Sequence, residues 1–163
     1  MRVAVLTVAV VLFFSSCSEK KKDYQQITSD PFLYSRTVKE LNNVVMQNNF
    51  PPIIASRNYV YANIAAYEVI AAGDPQHYQS LAGQLNGLDS AAIVPTGKKI
   101  DFHFAALLAF CQLGEAVTFP EGSMKEYVDS LKGLVKDHGM PDDVFRNSID
   151  FAAEAGRIIL AWS

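Results

Sequence analysis

Cysteine, histidine and positive charge are all scarce in this sequence. Its 163 residues hold two cysteines, Cys17 and Cys111, and three histidines, His77, His103 and His138. No CxxC pair and no Cys/His cluster of zinc-ligand spacing occurs, which excludes a zinc module of the usual kind. The formal net charge is −3 and the isoelectric point about 5.5. No global basic field therefore points to a nucleic-acid partner. No internal period of about 30–50 residues recurs, which excludes a repeat solenoid. What the chain does have is oil: half of its residues are hydrophobic, enough for one domain with a real core.

The N-terminus reads as an address. Arg2 is followed by the apolar run Val3 to Phe14, well short of the roughly 20 residues that cross a bilayer as a helix. It fits the hydrophobic region of a secretory signal peptide. Ser15 and Ser16 then precede Cys17 in an arrangement that resembles a bacterial lipobox, whose cysteine is acylated, as with palmitate, and becomes the first mature residue. Cleavage as an ordinary secreted protein would remove the same segment; lipidation at Cys17 is the favoured reading. Ser18 rather than aspartate after the cysteine implies the outer membrane of a bacterial envelope, on its periplasmic or surface face. The expected organisation is a signal peptide over 1–16, a disordered tether over 17–29 that includes SEKKKDYQQ, and a helical domain over 30–163. Cys111, within FAALLAFCQL, reads as a small buried core thiol.

The stretch Pro51 to Gly73 organises the rest. Its prolines suit a helix start, and Gly73 reads as a left-handed cap at its end. Val60, Ile64, Tyr67 and Ala71 recur at helical spacing while Ala62, Ala65, Ala66, Val69 and Ile70 cover the other sides, so a central helix surrounded by others is expected. Arg57, Tyr61, Ile64 and Glu68 fall on one stripe. Arg57 and Glu68 lie about 16 Å apart along the axis and cannot pair with each other. A structural anchor between helices is the favoured reading of this stripe over an active-site pair.

The other helices follow from caps and periodicity. Asp30-Pro31 opens one with Tyr34, Val38, Leu41 and Val45 on its face. Asp74-Pro75 predicts a short helix over Gln76 to Leu85, then the turn pair Asn86-Gly87 and a loop over Leu88 to Lys99. Asp101 to Phe119 is strongly apolar and should pack on the central helix. Met124, Tyr127, Val128, Leu131, Leu134 and Val135 mark an amphipathic helix capped by Gly139. Pro141, Asp142 and Asp143 open the last, with Phe145, Ile149, Ala152, Gly156, Ile159 and Leu160 as its face. The chain stops at ILAWS without a cap or polar tail, which reads as truncation or as a surface covered by a partner. His77 and His103 have no second ligand or orienting carboxylate near them in sequence.

The stretches PPIIASRNYVYANIAAYE, SLAGQLNGL and RIILAWS together resemble the N-terminal half of bacterial lipoproteins related to vanadium-dependent haloperoxidases. Their superfamily includes the type-2 phosphatidic acid phosphatases. The resemblance runs from about Asp30 to the end, and Arg57 with Tyr67-Glu68 matches the family's pattern on a core helix. It implies an all-α fold, here a bundle of about five helices. It also implies that catalysis needs a Lys…Arg-Pro segment, a Pro-Ser-Gly-His segment and a later Ser-Arg…His segment to hold vanadate or phosphate. None of these occurs, so no catalytic, cofactor-binding or metal residue carries over.

The expectation is thus an envelope lipoprotein held to the membrane through Cys17, carrying the N-terminal scaffold half of a haloperoxidase- or phosphatase-like protein and inactive alone. Vanadate or phosphate would enter only in the full-length relative. The missing C-terminal half or a partner protein would cover the last helix. The alternative is a complete, non-enzymatic helical lipoprotein that binds a nutrient, peptide or partner protein at the outer membrane.

Overall fold

Aspartates and prolines set the helix starts. In the computed structural model, which describes residues 23–88, 95 and 97–163, Asp23 accepts from the Gln25 amide to open α1 (Tyr24–Thr28). Asp30 accepts from the Phe32 amide at 2.9 Å and Pro31 takes the first position of α2 (Pro31–Gln47). Pro51 and Pro52 begin α3 (Pro52–Gly73) without a side-chain cap, since proline brings no N–H that needs one. Asp101 accepts from the Phe104 amide at 2.8 Å to open α4 (Phe102–Ala116). The last two are α5 (Lys125–Asp137) and α6 (Asp142–Trp162). Asp142 and Asp143 sit in the first turn of α6, where the helix dipole favours acids. The fold is all-α, and no strand occurs among the described residues.

The core forms around the pairing of α3 with α4, and α6 packs across both. Ala62, Ala65, Ala66 and Val69 of α3 are buried, as are Phe104 to Cys111 and Leu113 of α4. The alanines let the two backbones approach, as their number in sequence predicts. Gly114 completes the fit on the α2 side: a Cβ there would meet both Leu41 methyls at 3.0 Å. The amphipathic α5 buries Leu131 and Val135, with Met124 buried just before it, and ties to α2 through a 2.8 Å hydrogen bond between the Tyr127 and Thr37 hydroxyls. The Asp101 carboxylate accepts from Thr28 Oγ1 at 3.0 Å, and its amide donates to Ser148 Oγ at 2.9 Å. One capping residue thereby joins α1, α4 and α6.

Five expectations are corrected. The tether expected over 17–29 is folded from Asp23 onward, because α1 buries Thr28 against Asp101; residues 17–22, with Cys17, lie outside the described residues, as does the expected signal peptide 1–16. No helix forms over Gln76 to Leu85. The chain there makes turns with Gly83 at φ 75° and Gly87 at φ 81°, because Glu68 takes up the Leu81 amide as acceptor. Gly73 is not a left-handed cap: it is the last helical residue of α3 and has no positive φ. It is needed for space, since a Cβ would lie 2.4 Å from Cγ of Phe102. The start of α3 is not enclosed, with Ile53, Ile54 and Val60 exposed. Finally, the buried stripe of α6 is rotated from the expected one: Val144, Ser148, Phe151, Ala152, Ala155, Gly156 and Ile159 are inside, and Leu160 is exposed.

Candidate functional site

The polar stripe of α3 divides into two clusters that do different things. At its inner end Glu68 is 2% exposed, accepting from Ser80 Oγ and from the Leu81 amide, both at 2.7 Å. No cation stands beside it among the described salt bridges. Two charge-assisted hydrogen bonds compensate a buried carboxylate here, and they pin the turn segment to α3. Next to it, the Tyr67 hydroxyl donates to the Gln79 carbonyl at 2.8 Å. Glu68 thus acts as a structural anchor for the turn segment.

At the outer end Arg57 is exposed rather than buried. Its Nε donates to the Tyr61 hydroxyl at 2.9 Å, and its guanidinium carbon sits 5.3 Å from the centre of the Tyr61 ring. Arg57 Nη2 and the Tyr61 hydroxyl both donate to the Ser163 carbonyl, at 3.3 and 3.2 Å. A cation at the end of a helix complements the carbonyls left open there. Trp162 completes the cluster: its ring meets Tyr61 edge-on at 5.7 Å, and its indole N–H donates to the Asn86 carbonyl at 3.1 Å. Arg57 and Tyr61 thus fasten the end of α6 to α3. Of the last residues, Leu160 and Ala161 are exposed, while Trp162 and Ser163 are half-buried against α3 and the turn segment.

Around Arg57 lies an apolar surface. Ile53, Arg57, Val60, Ile64 and Tyr67 step by four and three along α3, the spacing by which one helix meets another. Ile53 is 85% and Val60 53% exposed. Ile64, further along the same seam, is buried at 9%, so the exposed part is confined to the first half of α3.

The histidines do not converge. His77, in the turn after α3, is exposed and lies 2.8 Å from Asp74; His138 reaches the Leu134 carbonyl at 2.8 Å; His103 is exposed in the first turn of α4. Cys111 is fully buried, and burial pushes its thiol up to about 12, so it is a core residue rather than a nucleophile. A groove of about 1110 Å³ between α4, α5 and α6 carries Lys125 and Lys132 with Glu115, Glu121 and Asp129. A cavity of about 600 Å³ between α2, α3 and α4 carries His103 without lysine or arginine. A hollow of about 380 Å³ on α3 has no titratable cation. An oxyanion bearing several charges wants clustered arginine or lysine with a histidine. In none of these three spaces do such residues share a lining.

No family model matches the chain, and no curated protein matches it. Among solved structures it is similar to a bacterial vanadium-dependent iodoperoxidase, determined by crystallography. The two are 31% identical over 81% of this chain, with a TM-score of 0.73, and the match spans 31% of that enzyme's chain. The helical architecture is therefore haloperoxidase-like, and the chain corresponds to about a third of that enzyme's length.

Proposed function

We propose that this chain is the scaffold portion of an envelope-anchored lipoprotein of the vanadium-dependent haloperoxidase kind, with no oxyanion site of its own. The observation that carries the reading is the match to the iodoperoxidase over 81% of this chain but only 31% of that one. One feature of the molecule agrees with it: α3 presents Ile53 and Val60 exposed along a helical seam. In this reading a further helical portion, in the same chain or a partner, packs along that seam and supplies the Lys, Arg and His groups. The lipid on Cys17 holds the assembly to the outer membrane, and several acyl chains suffice for firm attachment.

The test is direct. The purified chain should show no saturable heat with orthovanadate and no oxidation of iodide by hydrogen peroxide when vanadate is supplied. Saturable vanadate binding or peroxide-dependent iodide turnover by the chain alone overturns the proposal. Separately, radiolabelled palmitate should enter the protein in a bacterial host and disappear from a Cys17→Ala variant. Unlabelled wild type would refute the anchor.

A further inference from the structure

We infer that the cavity between α2, α3 and α4 is a binding site for a small organic cation of the quaternary-ammonium class. The inference is independent of the scaffold reading. The space, about 600 Å³, is of the size that small-molecule sites have. Its floor includes Ala66 and Ala106, both almost fully buried, whose short side chains leave the room. Tyr34 and Tyr67 are among its walls and Asp30 lies at the start of α2 beside them.

Each wall residue is fixed by the fold. The Tyr34 hydroxyl donates to Asn63 Oδ1 at 2.8 Å, and its ring meets Phe110 edge-on at 5.7 Å. The Tyr67 hydroxyl donates to the Gln79 carbonyl, and its ring meets Tyr78 edge-on at 6.4 Å. Both phenolic protons are already committed, so neither tyrosine offers a ligand its hydroxyl proton, and each can meet it through its ring. Asp30 uses Oδ1 as the α2 cap, and no described salt bridge reaches it.

The charge balance selects the ligand. The lining has the Asp30 carboxylate and the His103 imidazole but no lysine or arginine, so an anion finds no permanently positive group there. Its tyrosine protons are spent within the protein, which disfavours a neutral sugar needing many donors. A cation wrapped in methyl groups suits what remains, since its charge is drawn to tyrosine rings and a carboxylate while its methyls fill apolar space.

Calorimetric titration with choline at pH 8 and low salt tests this, compared against 3,3-dimethylbutan-1-ol, the same shape without charge. Choline should saturate, and the neutral analogue should bind roughly tenfold more weakly. Asp30→Asn keeps a good helix cap but removes the charge, and should weaken choline severalfold at unchanged melting temperature. Tyr67→Leu should weaken it about tenfold; if that variant fails to fold, Asp30→Asn decides alone. Absence of saturation by 50 mM choline (about 50 mM being the weakest affinity a site of this kind is worth calling one), equal binding of the neutral analogue, or unchanged affinity in Asp30→Asn overturns the assignment.

Discussion

Gly73→Ala should destabilise the protein even though it replaces glycine by the best helix former inside a helix. By propensity alone the change would gain about 1 kcal/mol. The geometry opposes it. The added Cβ would lie 2.4, 2.7 and 2.8 Å from Cγ, Cδ2 and Cδ1 of Phe102. These atoms are the root of an aromatic ring and not the free tip of a flexible chain. Relief requires the ring to move, yet it stands edge-on to Phe151 at 5.5 Å, 88°, so the displacement passes into the contact between α4 and α6. Overpacking of this severity costs about 3 kcal/mol, which leaves a net loss of about 2 kcal/mol. For a domain of this size that is a fall of roughly 4–8 °C in melting temperature. Gly133→Ala is the control, because glycine in α5 has nothing within 4 Å of its would-be Cβ and should gain about 0.5–1 kcal/mol. Denaturant melts of both variants, of Phe102→Ala and of Gly73→Ala/Phe102→Ala form the assay, since alanine lacks the Cγ and Cδ atoms that clash. If Gly73→Ala equals or exceeds wild type, or if removing the ring fails to rescue it, the steric argument is refuted.

Glu68→Ala should cost about 2–4 kcal/mol, since it strips the acceptor from the Leu81 amide and the Ser80 hydroxyl at a buried position. Glu68→Gln should cost about half of that, and hydrogen exchange at Leu81 should rise in both; equal stability of the Ala and Gln variants would remove the anchor. Ser148→Ala should cost about 1–2 kcal/mol by leaving the Asp101 amide without its acceptor, read as a shift in denaturant midpoint. Stability should fall between pH 9 and 12. Burial raises the Cys111 thiol from 9.0 to about 12 and the Tyr34 phenol from 10.0 to about 12, so the folded state holds protons that the unfolded chain releases. That stabilisation is complete below pH 9 and is lost as pH climbs through the folded values. A Cys111→Ala variant, whatever its offset at pH 7, should show a shallower alkaline decline; an identical slope would contradict the thiol's part in it.

Much of the architecture was readable because it rests on local chemistry. Asp30-Pro31, Pro51-Pro52, Asp101 and Pro141 stand at the starts of α2, α3, α4 and α6, and caps act through atoms one to three residues away. The amphipathic period of α5 was legible for the same reason, as one side of it meets water. The errors occur where distant residues decide. Gln76 to Leu85 has an acceptable helix start, but a carboxylate from α3 captures its backbone. Gly73 looks like a cap until Phe102 is brought against it. In α6 the apolar arc is broad, running from Phe151 to Leu160 around the helix, so periodicity placed the stripe but not which edge of it is covered.

The candidate sites divide in the same way. Arg57 and Glu68 are visible as charges on an apolar helix, yet burial of one and exposure of the other depend on what the rest of the chain lays over each turn. The Tyr34, Tyr67 and Asp30 cavity had no signature, because residues from three elements compose it and each has an ordinary local role. By itself the sequence determined the helical class, the starts of α2, α3, α4 and α6 and the scarcity of oxyanion-binding groups, all consequences of short-range hydrogen bonding and composition. Only the tertiary structure decided which apolar faces are covered, where space remains between them and which polar groups meet across it, because those depend on contacts between residues far apart in the chain.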